Sequence, residues 1–164
     1  MIFVTVGSQM PFDRLVMTVD SWARDCGRKD VFAQIGTTTH VPESFPSRPT
    51  VDTGEYSRLV EEATLIISHA GMGTILTALE RGKPLLVMPR LGKFDETRND
   101  HQVATAREFA SKGMVHVAWD EKDLLVQLAR VDTLTTQTRI GSVASPELLT
   151  AIRNFIFGDV HAVS

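Results

Sequence analysis

The chain has 164 residues, with 17 Lys+Arg against 20 Asp+Glu for a formal net charge of −3, and it is 43% hydrophobic and 23% charged. That length supports one sizeable core and excludes two full-sized domains. The slightly acidic balance speaks against nucleic acid as a partner, because phosphate-backbone binding needs a surplus of Lys and Arg. A single cysteine, Cys26, excludes an intramolecular disulfide framework and fits a reducing compartment, and with five scattered His no zinc-ligand spacing arises.

Ile2–Val6 is an apolar, β-branched run and is predicted to be a buried strand. It lacks a basic start and is cut off by Gly7-Ser8-Gln9, too soon for a signal peptide. No run approaches the roughly 20 apolar residues that cross a bilayer, so a cytoplasmic chain is expected. Phe12–Cys26 carries Phe12, Leu15, Val16, Val19, Trp22 and Ala23 at helical spacing. Val31–Ile35 is a second strand. His40–Pro49 holds Pro42, Pro46 and Pro49 and is predicted to be an extended connection. A brief strand is expected at Thr50–Thr53, then a helix at Glu55–Ala63.

Leu65–Ser68 stays apolar until its last residue, as a strand does when both sheet faces are covered. Gly73–Arg81 is the next predicted helix, stopped by Gly82-Lys83-Pro84. Leu85–Met88 is a wholly apolar strand, Pro89–Arg98 a charged loop, Asn99–Lys112 a helix and Met114–Ala118 a short strand. Asp120 can cap a helix through Arg130. The Thr-rich stretch around Val131–Val143 is the best linker candidate. It divides a core of residues 1–130, with a linker to about 145, from a C-terminal helix and tail at 146–164 that Ser145-Pro146 begins. Strands alternating with helices imply an α/β domain with a doubly wound, mostly parallel sheet.

In such a sheet ligands bind beyond the carboxyl ends of the strands. Three strand ends are polar or Gly-rich while their strand bodies are not: Gly7-Ser8-Gln9, Ser68-His69-Ala70-Gly71-Met72-Gly73-Thr74, and Pro89-Arg90 with the loop to Asn99-Asp100-His101-Gln102. In the second, glycines allow a tight turn and close approach, and the first amides of the following helix suit a diphosphate without a metal ion. A tight strand-to-helix turn needs glycine in any case, so both readings stay open. Gly7-Ser8-Gln9 could line a phosphate or simply lead into the first helix. Asn99–Gln102 could contact a sugar or start a helix with Asn99 or Asp100 as cap. Of the basic residues Arg81, Lys83, Arg90, Lys93 and Arg98, a few could face a diphosphate or anionic lipid. Met17, Met72, Met88 and Met114 read as core filling, and Cys26 as an inert thiol. No Gly-x-Ser-x-Gly elbow, Walker loop or catalytic triad spacing is present.

The runs Ile67–Leu79, Gly82–Arg90 and Arg98–Gln102, in that order, resemble the nucleotide-sugar-binding half of MurG-type, family 28 glycosyltransferases. The opening Phe3–Leu15 resembles the PssE-like subunits of bacterial exopolysaccharide synthesis, stand-alone equivalents of that C-terminal half. The resemblance runs from Met1 to about Ala118. It implies a Rossmann-like domain forming the donor half of a GT-B enzyme split over two chains. A membrane-associated subunit would bind a lipid-linked glycan acceptor and supply the catalytic base, holding this chain at the inner membrane. The substrate would be a UDP-sugar, with no cofactor and no metal.

The resemblance places donor contacts at Gly7 and Ser8, at His69, Gly71, Met72, Gly73 and Thr74, and at Asp100, His101 and Gln102. Val51, Asp52 and Thr53 would lie along uracil. Many relatives carry a ribose-binding acid where this chain has Thr77, which leaves ribose to Glu80 or another residue. Two alternatives remain: a non-catalytic nucleotide-sugar-binding scaffold, and a sugar-nucleotide epimerase of related architecture. Self-association of the chain alone, or packing of the last helix on a partner, is also open.

Overall fold

A computed structural model of the chain describes residues 1–136 and 139–141. The short apolar runs form strands β1 (Ile2–Thr5), β2 (Val31–Gln34), β3 (Ser47–Arg48), β4 (Leu65–His69), β5 (Leu85–Met88) and β6 (His116–Val117). They make one six-stranded sheet in the order β3-β2-β1-β4-β5-β6, and every pairing is parallel. The helices between them are α1 (Asp13–Asp25), α2 (Thr53–Glu62), α3 (Met72–Glu80), α4 (His101–Ser111) and α5 (Glu121–Ala129).

Side chains alternate across the strands, so each strand feeds two cores. Ile2, Val4, Ile67, Leu86 and Met88 pack with Leu15, Val16, Val19 and Trp22 of α1 and with Leu124 and Leu128 of α5. On the other face Phe3, Ile66, Leu85 and Val87 pack with Leu59 and Val60 of α2, Ile75 and Leu79 of α3 and Ala106 of α4. The bodies of β1, β2, β4 and β5 are apolar because both faces of the sheet are covered there, and their polar residues stand at the carboxyl ends. The expected doubly wound parallel sheet is present, and its helix on 12–26 buries all six of the apolar residues that marked it.

Several boundaries differ from expectation, and three of the differences concern β3, α2 and α4. The third strand lies at Ser47–Arg48, paired with Ala33 and Gln34, and not at 50–53. Asp52 instead caps α2, its side chain accepting from the Glu55 amide at 2.8 Å, so the helix begins at Thr53. Helix α4 begins at His101, two residues late, because Asp100 accepts from the Gly92 amide at 2.8 Å and closes the preceding loop. Met17 and Met72, expected in the core, are 52% and 47% exposed. The described part of the linker stretch packs on the domain: Val131 is buried, and the Thr136 hydroxyl donates to the Gly82 carbonyl. The C-terminal helix and tail expected at 146–164 lie outside the described residues.

The proline-rich connection at 40–49 has no helix to satisfy its amides, and α1 supplies acceptors instead. Asp13 accepts from the Thr39 and His40 amides at 3.0 and 2.7 Å. Buried Asp20 accepts from the Ser44 amide at 2.9 Å and lies 3.0 Å from His40 Nε2. Burial raises the Asp20 carboxyl, but hydrogen bonds from Ser44, His40 and Glu43 outweigh it and hold it below its ordinary value. Asp20→Asn is therefore expected to cost about 1–2 kcal/mol in urea unfolding at neutral pH. A carboxylate whose pKa is lower folded than unfolded stabilises above the unfolded value and loses that contribution as pH falls through the folded one. The gap between variant and wild type should begin to narrow below about pH 4 and close only as pH falls through the lower, folded value.

Candidate functional site

Strand order reverses between β1 and β4, whose following helices, α1 and α3, pack on opposite faces of the sheet. Such a divergence opens a crevice at the carboxyl ends. The register sets a row of polar side chains across that edge: Thr5 stands opposite both Gln34 and Ser68. All three are buried, and the Thr5 hydroxyl donates to Gln34 Oε1 at 3.2 Å.

The crevice has two compartments, of about 380 and 350 Å³, which share Gly7, Ser8, Gly73 and Thr74. One is walled by Val51, Asp52, Thr53 and Tyr56 with Gln34 and Thr77. The other is more polar, with His69, Arg90, Thr97, His101 and Gln102. At their junction stands the start of α3. Gly71 is its N-cap, with φ −89° and ψ 132°, and no side chain caps it. The Ile75 amide donates to the Gly71 carbonyl at 3.1 Å, so the amides of Met72, Gly73 and Thr74 precede the helical ladder and carry the positive end of the helix dipole.

His69 explains two of the glycines. A Cβ on Gly71 would fall 2.2 Å from His69 Nε2, and one on Gly7, where φ is +73°, would fall 2.9 Å from His69 Cε1. The imidazole is thus sandwiched between the two strand-end turns. Burial, with the charge of Arg90 adding to it, pushes its pKa down to about 4, so the ring is neutral at physiological pH. Its Nδ1 is buried without a hydrogen-bond partner. Gly73 differs: a Cβ there would meet nothing within 4 Å, since that side of the residue faces the cleft.

The loop after β5 closes the polar compartment. Gln102 is buried, and its Oε1 accepts from the Arg90 amide at 3.2 Å, which turns this side chain toward the end of β5. Glu96, also buried, holds the loop against α1 by accepting from Arg14 Nε and Nη2, both at 2.9 Å, and from the Leu91 amide at 3.0 Å. A larger depression of about 500 Å³ lies beyond this ion pair, lined in part by Asp13, Glu96, Asp95 and Glu121. Its acids exceed its one cation, Arg14, so it repels a diphosphate; the crevice carries Arg90 and the α3 amides. Among the described residues no group of three His, Cys, Asp or Glu is placed to hold a metal ion.

Most of the residues singled out from sequence come together here. Gly7, Ser8, His69, Gly71, Gly73, Thr74, Thr77, His101 and Gln102 line the crevice, as do Val51, Asp52 and Thr53. Asp100 and Met72 line neither compartment: Asp100 is turned to Gly92, and Met72 points outward at the first position of α3. Glu80 borders a separate depression with Arg139–Gly141 and lines neither compartment. Thr77 is at the cleft, its hydroxyl donating to the Gly73 carbonyl at 2.8 Å. Thr5, Gln34, Tyr56 and the buried state of Arg90 were not foreseen. For Gln34 a signal existed, a lone polar residue near the end of an apolar strand.

A crevice at the order switch of a parallel, doubly wound sheet marks a Rossmann-like α/β fold. The solved structures that share this fold include glycosyltransferases. The crystal structure of Acinetobacter baumannii MurG matches with a TM-score of 0.57 at 18% identity, over 80% of this chain and 41% of that one. The NMR structure of ALG13 matches with a TM-score of 0.57 at 20% identity, over 98% and 96%. At these identities the likeness is one of fold, that of GT-B glycosyltransferases. The chain belongs to the glycosyltransferase family 28 C-terminal domain family, which it matches over residues 1–137. The UDP-N-acetylglucosamine transferase subunit ALG13 of Homo sapiens is 37% identical over 122 residues, and that of Mus musculus 37% over 123. These alignments take in 68% of this chain and 10% of each relative, so the chain spans about a tenth of their length. Among the described residues no helix is long and apolar enough to cross a membrane.

Proposed function

We propose that the crevice binds a UDP-sugar and that the chain is the donor-binding subunit of a two-chain, inverting hexosyltransferase. The observation that carries this reading is the uncapped start of α3 opening at the junction of the two compartments. Uracil and ribose fit the side of Val51, Thr53, Tyr56, Gln34 and Thr77. The diphosphate fits the Gly73 and Thr74 amides, and the sugar the side of His101 and Gln102. Family membership and the relatives' description as subunits of a UDP-N-acetylglucosamine transferase support the donor class and the division of labour.

In this reading an acceptor hydroxyl attacks the anomeric carbon and the bond to the β-phosphate oxygen breaks. The proton passes to a base on the partner chain, and UDP leaves with growing negative charge. Preoriented amides of the kind that start α3 stabilise such charge by roughly 3–4 kcal/mol each. No cofactor enters, UDP-sugar being a substrate. The acceptor is a polyprenyl-diphosphate-linked glycan of exopolysaccharide or capsule synthesis. A membrane-associated partner that binds it holds this chain at the cytoplasmic face of the inner membrane.

Both halves must close for the reacting atoms to meet. The purified chain is expected to bind UDP weakly by titration calorimetry and to transfer sugar only when co-purified with its acceptor-binding partner. Rapid transfer by the chain alone, or no UDP uptake with the partner present, overturns the reading. A scaffold would leave transfer by the pair unchanged when Gly73 is filled, whereas a donor subunit loses it.

A further inference from the structure

Arg90 follows the wholly apolar strand β5, two residues past its last residue Met88, and is only 4% exposed, an unusual place for a residue that is charged at any physiological pH. One side of its guanidinium stacks on Phe12, with Cζ 5.2 Å from the ring centroid. Nη2 donates to the Val6 carbonyl at 2.7 Å and the Met10 carbonyl at 2.5 Å. These bonds use neutral acceptors and leave the charge uncompensated. Nε is buried with no hydrogen-bond partner. Glu96, the acid that offsets part of the burial, is taken up by Arg14 at 2.9 Å. Burying an ion without a counter-charge is costly, and a chain bears that cost where an external anion supplies the missing charge. The open side of this residue is the polar compartment, which it lines with His69, Gly71 and Thr74.

We infer that Arg90 is the cation that meets the diphosphate of the donor, a binding residue in addition to the helix start. The inference rests on the reading that the crevice takes a UDP-sugar. The same side chain holds the carbonyls of Val6 and Met10, which bracket Gly7 and Ser8. An anion on Arg90 therefore also draws on the turn that forms the junction of the two compartments. Charge and loop position are joined in one residue.

The test uses the full 164-residue chain with uridine, UMP and UDP as probes, and the variants Arg90→Met and Arg90→Lys. Arg90→Met is expected to weaken UDP at least about tenfold while uridine changes by less than about twofold. Arg90→Lys, which keeps the charge but loses the planar fork, should recover part of the UDP loss. In the unaltered chain the Arg90 Nε–Hε resonance should shift saturably with UDP and stay still with uridine, a readout that does not require either variant to fold. Equal weakening of uridine and UDP would show a purely structural clamp and overturn the inference. So would an unchanged UDP affinity, or a silent Nε resonance while UDP binds. Failure of the unaltered chain to bind UDP at all, even with its partner, sinks the reading of the crevice as well, so the two failures are distinguishable.

Discussion

Gly73→Leu is expected to leave the fold as stable as before and to weaken UDP binding by more than about 100-fold, a loss of at least about 2.7 kcal/mol. A Cβ at this position meets no atom within 4 Å, so the native structure has nothing to give way. Leucine is also a better helix former than glycine, by a few tenths to about 1 kcal/mol in a helix interior and less in a first turn. The space the new side chain enters is the junction shared by the two compartments, where the donor's phosphates are proposed to lie against the amides of α3. Thermal unfolding and calorimetric titration on the same preparation separate the two effects. An unchanged affinity for UDP would mean that the diphosphate lies elsewhere.

Gly71→Ala, two residues away, is expected to behave in the opposite way. Its methyl group would stand 2.2 Å from His69 Nε2, and the imidazole cannot retreat toward Gly7, whose α-carbon borders the other side of the ring. Either the ring leaves its pocket or the start of α3 shifts, and overpacking of this kind costs about 2–3 kcal/mol. Donor binding should fall with it, because the amides of Gly73 and Thr74 move with the helix start. Removing the ring relieves the clash. In urea unfolding, Gly71→Ala should cost less by about 1–2 kcal/mol in a His69→Ala background than in the original chain. Simple additivity of the two substitutions would show that His69 does not dictate the glycine.

These two glycines illustrate how far the sequence could be read. Both are expected from sequence in a candidate diphosphate-binding turn, and both line the crevice. Their reasons differ, however: Gly71 makes room for a side chain of the protein itself, and Gly73 borders open cleft. A Gly-x-Gly spacing carries no mark of that difference, because it depends on where His69 points and on Gly7, which reaches the same ring from the turn after β1. Asp100 shows the same dependence on distant partners. Beside His101 and Gln102 it looks like a third sugar-binding group, but the turn at Gly92–Phe94 offers its amide and takes the carboxylate out of the cleft.

What the sequence alone determined is the alternation of buried strands and amphipathic helices, and with it the parallel doubly wound sheet. Strands covered on both faces must be apolar throughout, and helices covered on one face must show a 3.6-residue stripe; those constraints are local and leave a visible pattern. It also marked the polar strand ends, which line the crevice. Only the tertiary structure decided which polar groups converge there. The row Gln34, Thr5 and Ser68 arises from strand register. The short β3 and its loop are held by the two α1 carboxylates, Asp13 and Asp20. The burial of Arg90 requires β1, α1 and the loop after β5 to meet around it. Such contacts join residues tens of positions apart, and the free energy of each depends on desolvation and on partners that have no fixed separation along the chain.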